Sequence, residues 1–362
     1  LAQIAAESPE LKKHFCSCWL NKATSGSSYC GFATTAFFAR TCRVKLEIAP
    51  ENYYCNYAYK YIHLIKNYSM EDVNFEDFKV KLPFKMAEYP TLIESDKSSE
   101  YKEKALNKVR NKLKKLQEQM YAHNKYSMLI VLQGMDTSGK DSLIREVFKE
   151  INPRGVTVES FKTPSSNELE HDYLWRHYIK LPEKGKIAVF NRSHYENVLV
   201  TRVHPEYLLN ENLPSVSTVE DVDAVFWERR MTDINNFEKH LKNSGMIILK
   251  FYMNLSKEEQ RQRLLRRLEK QKHNWKFSTG DLKERKLWDD YMACYEEAIN
   301  KTSTDDAPWY AIPADDKEMS RYIVGKVVLE ELKKYKDMEY PELDEKVQDN
   351  IAMYRRQLET EE

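Results

Sequence analysis

The stretch that most constrains this chain is residues 127–145, SMLIVLQGMDTSGKDSLIR. An apolar run, Leu129 to Leu132, stops at Gly134, and a helix-compatible segment with Leu143 and Ile144 resumes after Gly139 and Lys140. Strand, glycine loop and helix in that order make a phosphate cradle. The glycines let backbone N–H groups close round an anion, the helix presents its positive end, and Lys140 adds a mobile charge. The spacing Gly134-x4-Gly139-Lys140, with Thr137 and Ser138 inside it, fits the P-loop pattern, but Asp141 stands where Ser or Thr usually holds magnesium. The plainer alternative is a glycine turn beside a solvated lysine. Asp136 is a second acid in the loop, and its charge would repel a phosphate held by backbone alone. That makes it a candidate magnesium ligand or base for an acceptor phosphate, against a turn aspartate bonding its own backbone.

A chain of 362 residues can bury one large α/β core with extensions, or two modest domains. Its 57 Lys and Arg balance 57 Asp and Glu, so any affinity for polyanions must come from local clusters such as Lys108 to Lys115 and Arg261 to Lys272. Each cluster is also readable as a solvated helix face. No nucleic-acid or membrane partner is expected: no apolar run reaches bilayer length and no signal segment opens the chain, which points to the cytoplasm. Residues 1–69 differ from the rest. They hold Cys16, Cys18, Cys30, Cys42 and Cys55, a Ser/Gly/Thr-rich stretch and poor helical periodicity, and the first methionine is Met70. They are expected to be an upstream translation, a cloning remnant or a weakly ordered appendage whose removal leaves activity nearly unchanged. A zinc site at His14, Cys16 and Cys18 lacks the usual Cys-x2-Cys pairs, and disulfides do not suit a reducing compartment.

Residues 70–126 read as an extension followed by a long helix. Its stripe of Ala105, Leu106, Val109, Leu113, Leu116 and Met120 is expected to pack against a sheet, with a dimer contact as the alternative. Short apolar strands at Val156 to Phe161, Ile187 to Phe190, Met246 to Tyr252 and Trp309 to Ile312 then alternate with helical stretches at Ser165 to Tyr178, Val222 to Lys242, Ser256 to Gln271 and Asp281 to Asn300. Such alternation predicts a parallel sheet covered on both faces, within a core spanning 127–335 and followed by a helical tail at 336–362. In open parallel sheets ligands sit at the carboxyl ends of the strands.

The residues after each strand are therefore the candidates. Lys162 follows the second strand, Ser165 and Glu168 form a capping box, and His171, Asp172, Trp175 and Arg176 can face the same cleft or simply pack. The third strand ends in Asn191-Arg192-Ser193-His194-Tyr195-Glu196. Asn191 occupies the place of the Walker B acid and brings no charge; Glu196 can restore a carboxylate if a helix begins there. Arg192 would aim a planar fork at phosphoryl oxygens, while His194 reads as a packing histidine. After the fourth strand, a capping box at Ser256 and Glu259 opens a helix on which Arg263, Arg266 and Arg267 share a face, as in a lid over phosphates or a solvated face. Asp136 and Lys140 are both expected to be exposed in the cleft.

Three ordered motifs, Gly134 to Asp141, Asn191 to Glu196 and Ala307 to Lys317, resemble the polyphosphate kinase 2 family, over about Met70 to Tyr335. Asn at 191 resembles the class III subgroup. The resemblance implies a P-loop kinase-like three-layer α/β sandwich close to thymidylate kinase, with a five-stranded parallel sheet and a helical lid at about 256–290. It implies reversible, magnesium-dependent transfer between inorganic polyphosphate and AMP or ADP, with manganese as an alternative metal, guanine nucleotides as alternative substrates and a homodimer or homotetramer as the assembly. By the match, Asp136 and Glu196 would hold metal, with Asp136 also serving the acceptor phosphate. Lys140, Asn191, Arg192 and Arg202 would serve the transferring phosphate, together with Gly134, Thr137, Ser138, Gly139 and Asp141. Arg263 and Arg267 would grip polyphosphate, and Lys162, Asp172 and Arg176 the nucleotide. No phosphohistidine is expected. The rivals are an ATP-dependent nucleoside monophosphate or thymidylate kinase and a P-loop protein that binds without turnover.

Overall fold

Strands that are apolar on both faces need a layer of helices on each side, and this sheet has both. In a computed structural model describing residues 73–274 and 277–361, β1 (Ser127–Gln133), β2 (Val156–Ser160), β3 (Ile187–Asn191), β4 (Met246–Asn254) and β5 (Trp309–Pro313) form one sheet. The order is β2-β3-β1-β4-β5 and every neighbouring pair is parallel. The expected five-stranded α/β fold is therefore present. The expectations about residues 1–69 lie outside the described residues.

Alternate residues of β1 feed the two cores. Met128, Ile130 and Leu132 face a core shared with α1 (Ser99–His123), α2 (Lys140–Val147) and α11 (Lys317–Leu332). Leu129 and Val131 face the other, shared with α5 (Glu196–Val203), α6 (Ala224–Asn243) and α10 (Trp288–Thr302). The stripe of α1 packs mainly on α11 rather than directly on the sheet. Gly325 makes this approach close: a Cβ there would lie 3.2 Å from Val109 Cγ1. A helix as uniformly buried as α11, with Val324, Val327 and Val328 all inside, needs such a cover.

Two expected helices are broken. Between β2 and β3 stand two single turns, α3 (Ser166–Leu169) and α4 (Trp175–Tyr178), with the Asp172 carboxylate accepting from the Leu174 N–H at 2.8 Å in the gap. The stretch from 279 to 302 divides at Leu287 into α9 (Thr279–Lys286) and α10. With α7 (Lys257–Glu269) and α8 (Gln271–Asn274), α9 fills the segment expected as a lid. The tail holds α12 (Glu345–Asp349) and α13 (Ile351–Glu359), whose side chains are almost all exposed.

β1 pairs with β3 on one side and β4 on the other, which puts the crevice for a ligand beyond its carboxyl end. Gly134 leaves that end at φ +146°, and a Cβ there would lie 2.9 Å from Met253 Cβ and 3.0 Å from the Met253 carbonyl. Backbone on a neighbouring strand cannot give way, so Gly134→Ala should lower stability by about 1–3 kcal/mol. Thermal unfolding checks this, and a wild-type melting temperature would contradict it.

Candidate active site

The glycine loop is closed from within. Thr137 (φ +67°) and Gly139 (φ +102°) turn the chain, and Gly139 caps α2. Lys140 Nζ donates to the Gly134 carbonyl at 2.6 Å, the Met135 carbonyl at 3.2 Å and Ser138 Oγ at 3.3 Å. The lysine is buried rather than exposed in the cleft as expected, because the loop folds over its ammonium; Asp136 is partly exposed. Burial, reinforced by the Arg192 charge, pushes Lys140 down to about 8, while Asp136, Glu196 and Asp141 oppose the shift.

Two departures from the usual P-loop pattern meet in space. The Asn191 amide donates to Asp141 Oδ1 at 2.6 Å and lies 3.4 Å from Ser160 Oγ. An ordinary P-loop protein places a hydroxyl on the loop and an acid at the end of the third strand. Here the acid is on the loop and the neutral group on the strand, so the pair keeps one carboxylate and reverses which side carries it. Each substitution looks like a loss in one dimension; together they conserve the charge.

Arg192 sits in the left-handed region at φ +63°, a conformation that costs a non-glycine residue on the order of 1–3 kcal/mol. Its backbone N–H extends the ladder to the Leu132 carbonyl at 3.1 Å. Its guanidinium reaches Asp136 Oδ1 at 2.7 Å and Glu196 Oε2 at 3.3 Å. Glu196 is the first residue of α5, where a carboxylate suits the helix dipole. Glu196 first, then Asp136, holds Arg192 above its ordinary value. Asp136, Arg192, Glu196, Lys140, Asp141 and Asn191 thus converge at the carboxyl ends of β1 and β3.

Other expected contacts lie elsewhere. Arg263 is buried and committed to the protein itself, donating to the carbonyls of Thr137 at 2.9 Å, Ala314 at 2.6 Å and Asp315 at 2.9 Å, and to Glu259 at 2.8 Å. It fastens the phosphate loop to the end of β5 instead of facing a cleft. Ser256 Oγ caps α7 by accepting from the Glu259 N–H, but the Glu259 carboxylate binds Arg263 and Arg266, so no reciprocal box forms. Arg202, about 9 Å along α5 from Glu196, pairs with Glu297 at 2.7 Å and stacks over Trp227. Arg267 pairs with Asp281 at 3.1 Å. Arg176 is buried over Phe161, donates to the Lys162 carbonyl at 2.7 Å and lies 3.5 Å from Glu168, where the capping box with Ser165 does form. It braces the end of β2. Lys162 itself is exposed there.

A family model described as polyphosphate kinase 2 matches residues 95–340. A Rhodopseudomonas palustris protein named ADP-polyphosphate phosphotransferase is 45% identical over 75% of this chain and 93% of its own. A Meiothermus ruber protein named AMP/ADP-polyphosphate phosphotransferase is 45% identical over 66% of this chain and 83% of its own. The chain belongs to the polyphosphate kinase 2 family. The crystal structure of polyphosphate kinase 2 from Arthrobacter aurescens superposes with a TM-score of 0.69 at 34% identity, covering 80% of this chain and 98% of that one.

For a polyphosphate kinase 2, two further features matter. His194 is wholly enclosed, with Nε2 3.2 Å from Glu238 Oε1, as a packing histidine should be. Lys317, whose Cγ would lie 3.9 Å from a Cβ at Gly139, belongs to a basic group with Arg263, Arg266 and Arg321; burial and these arginines lower Lys317 to about 8. Lys317 closes the third motif but spacing gave it no role; its position as the first residue of a helix after β5 was the available signal.

Among the described residues no three acids, histidines or cysteines converge as a ready-made metal cage. Magnesium usually takes one or two carboxylates and completes its shell with water and phosphate oxygens. Asp136 and Glu196 supply that number, and Thr137 Oγ1 and Asn191 Oδ1 are buried oxygens without a partner. The donor set fits the ion.

Lys140 gives a pH signature. Its charge is present below about 8 and lost above it, so affinity for inorganic polyphosphate should fall as pH rises through 8, with proton uptake on binding. The unfolded lysine titrates at about 10.4, so between these values the unfolded chain holds more protons and stability from this group rises with pH. Calorimetry in buffers of differing ionisation enthalpy checks the first effect; affinity unchanged from pH 7 to 9.5 would contradict it.

Proposed function

We infer that this chain transfers the terminal phosphoryl group of inorganic polyphosphate to AMP and to ADP, forming ADP and then ATP, and that the reaction runs in both directions. The observation that carries this is the Asp136–Arg192–Glu196 bridge beside the Asp141–Asn191 exchange, in a chain 45% identical to proteins named ADP- and AMP/ADP-polyphosphate phosphotransferases. An oxygen of the acceptor's phosphate attacks the terminal phosphorus, the bond to the bridging oxygen breaks, and polyphosphate leaves one unit shorter. Such transfer has a loose transition state and needs alignment and charge compensation more than a strong nucleophile.

Asp136 orients the acceptor phosphate and takes its proton where one is present. Arg192, released from the two acids by the arriving phosphates, and Lys140, released from the loop carbonyls, meet the transferring group. The amides of Gly134 to Gly139 cradle it, with Ser138 and Thr137 lining the loop. Asp136 and Glu196 would hold magnesium, or manganese, which when bound offsets phosphate charge between donor and acceptor. Lys162 faces the acceptor side. Asp172 and Arg176 support that side from behind, and Arg263 does the same for the loop. Arg267, with Arg266 and Lys317, lines the approach of the donor, while Arg202 braces α5. The working core is 127–335 with its lid at 256–290, and residues 1–69 are dispensable.

Adenine nucleotides, with guanine nucleotides as the alternative, are the acceptors. The setting is the cytoplasm and the assembly a homodimer or homotetramer; among the described residues no helix is long and apolar enough to cross a membrane. AMP, polyphosphate and magnesium without ATP should yield ADP and then ATP by chromatography. Asp136→Asn and Lys140→Ala should each lower that rate by about 10²–10³-fold. A strict requirement for ATP as donor, or wild-type rates in either variant, would contradict the assignment.

A further inference from the structure

β4 is apolar from Met246 to Met253 except at Lys250, which points into the same core as Ile248 and Tyr252. A buried ammonium is costly unless it is paired and fully bonded. Lys250 meets both conditions: Nζ donates to Glu238 Oε2 at 2.6 Å, to Tyr195 Oη at 2.9 Å and to the Thr302 carbonyl at 2.7 Å. Glu238, from α6, is equally enclosed. Its other oxygen, Oε1, accepts from Tyr195 Oη at 2.9 Å and lies 3.2 Å from His194 Nε2.

The two residues that Glu238 grips lie between Arg192 and Glu196 in the chain. On the Arg192 side, Ser193 Oγ accepts from Gln133 Nε2 at 3.1 Å and from the Tyr195 N–H at 3.2 Å, tying the segment back to β1. The left-handed turn at Arg192 and the start of α5 at Glu196 are thus held by side chains from β1, β4 and α6. A residue in a disfavoured backbone region keeps its place only when its surroundings over-determine it. The hydrogen bonds of Lys250 and Glu238 go to each other, to Tyr195, to His194 and to the Thr302 carbonyl rather than to the phosphate loop, and apolar side chains of similar volume would fill the same space.

We propose that the buried Lys250–Glu238 pair is a positioning device for phosphoryl transfer, fixing the Arg192-to-Glu196 segment through His194 and Tyr195 so that Arg192 bridges Asp136 and Glu196. It rests on the roles given above to Arg192 and Glu196. The pair acts through the hydrogen bonds Glu238 Oε1 receives, and the Lys250 charge keeps that carboxylate ionised and oriented.

Two double variants separate positioning from plain stability. K250M/E238L removes both charges and the acceptor but keeps an apolar core, a replacement that often leaves stability unchanged or higher. K250M/E238Q removes the charges but retains an amide oxygen for Tyr195 and His194. With polyphosphate and AMP, K250M/E238L should lose at least tenfold in kcat with KM changed less than threefold and an unaltered melting temperature. K250M/E238Q should stay within about threefold of wild type. Wild-type kcat in a folded K250M/E238L would overturn the proposal, as would equal losses in both variants. Should K250M/E238L fail to fold, Y195F decides: a fivefold or greater fall in kcat at unchanged KM supports positioning, and full activity refutes it. R192A assayed alongside distinguishes the two levels. An inactive R192A with an active K250M/E238L or Y195F sinks the positioning claim alone, whereas an active R192A removes the role of Arg192 and, with it, anything to position.

Discussion

The Arg192 guanidinium, held between Asp136 and Glu196, is the contact on which the organisation of this molecule turns. It joins the end of β1 to the end of β3 and the start of α5, three places that meet only because the sheet runs β2-β3-β1-β4-β5. The bridge neutralises two acids that would otherwise repel each other across the crevice. Phosphate and a divalent ion offer each partner a stronger alternative, the anion to Arg192 and the cation to the carboxylates. The site is therefore self-compensated, and Lys140, bonded to its own loop carbonyls, follows the same logic.

Around this bridge the protein spends buried polar groups where a simpler fold would use hydrocarbon. Arg263 fastens the loop to β5, Gln260 Nε2 donates to the Asp136 carbonyl at 3.2 Å, and Lys250 with Glu238 holds the segment after β3. A buried charge pair is a poor source of stability, and in some proteins a fully satisfied one specifies a single arrangement. Here they surround the residues whose relative placement must be held most closely. The two apolar cores need no such help, because alternating strand residues and the covering helices already fix the layers.

The layout of strands and the phosphate loop was legible in the sequence because both rest on local pattern. Apolar runs of strand length, separated by helical stretches, allow few topologies, and Gly134, Gly139 and Lys140 stand at a spacing few other structures require. The convergence of Asp136, Arg192 and Glu196 followed from reading the strand ends together. What stayed hidden depends on side-chain direction across elements. Arg263 shares a helical face with Arg266 and Arg267 in projection, yet the neighbouring end of β5 offers it carbonyls and draws it inward. Arg176 is turned by the same kind of carbonyl, that of Lys162. The helix breaks at Asp172 and Leu287 involve no glycine or proline at the break itself. Lys250 was open to notice: a lysine in the middle of MIILKFYMN, on the face of Ile248 and Tyr252, announces a buried partner.

The most direct measurement is a crystal structure with magnesium, ADP and a polyphosphate analogue whose bridging oxygens are replaced by methylene groups. In that structure Arg192 should have left both carboxylates for phosphate oxygens, Asp136 and Glu196 should face the metal, and Lys140 should have turned from its loop carbonyls to the donor. Phosphates bound in the crevice with Arg192 still bridging Asp136 and Glu196 would contradict this.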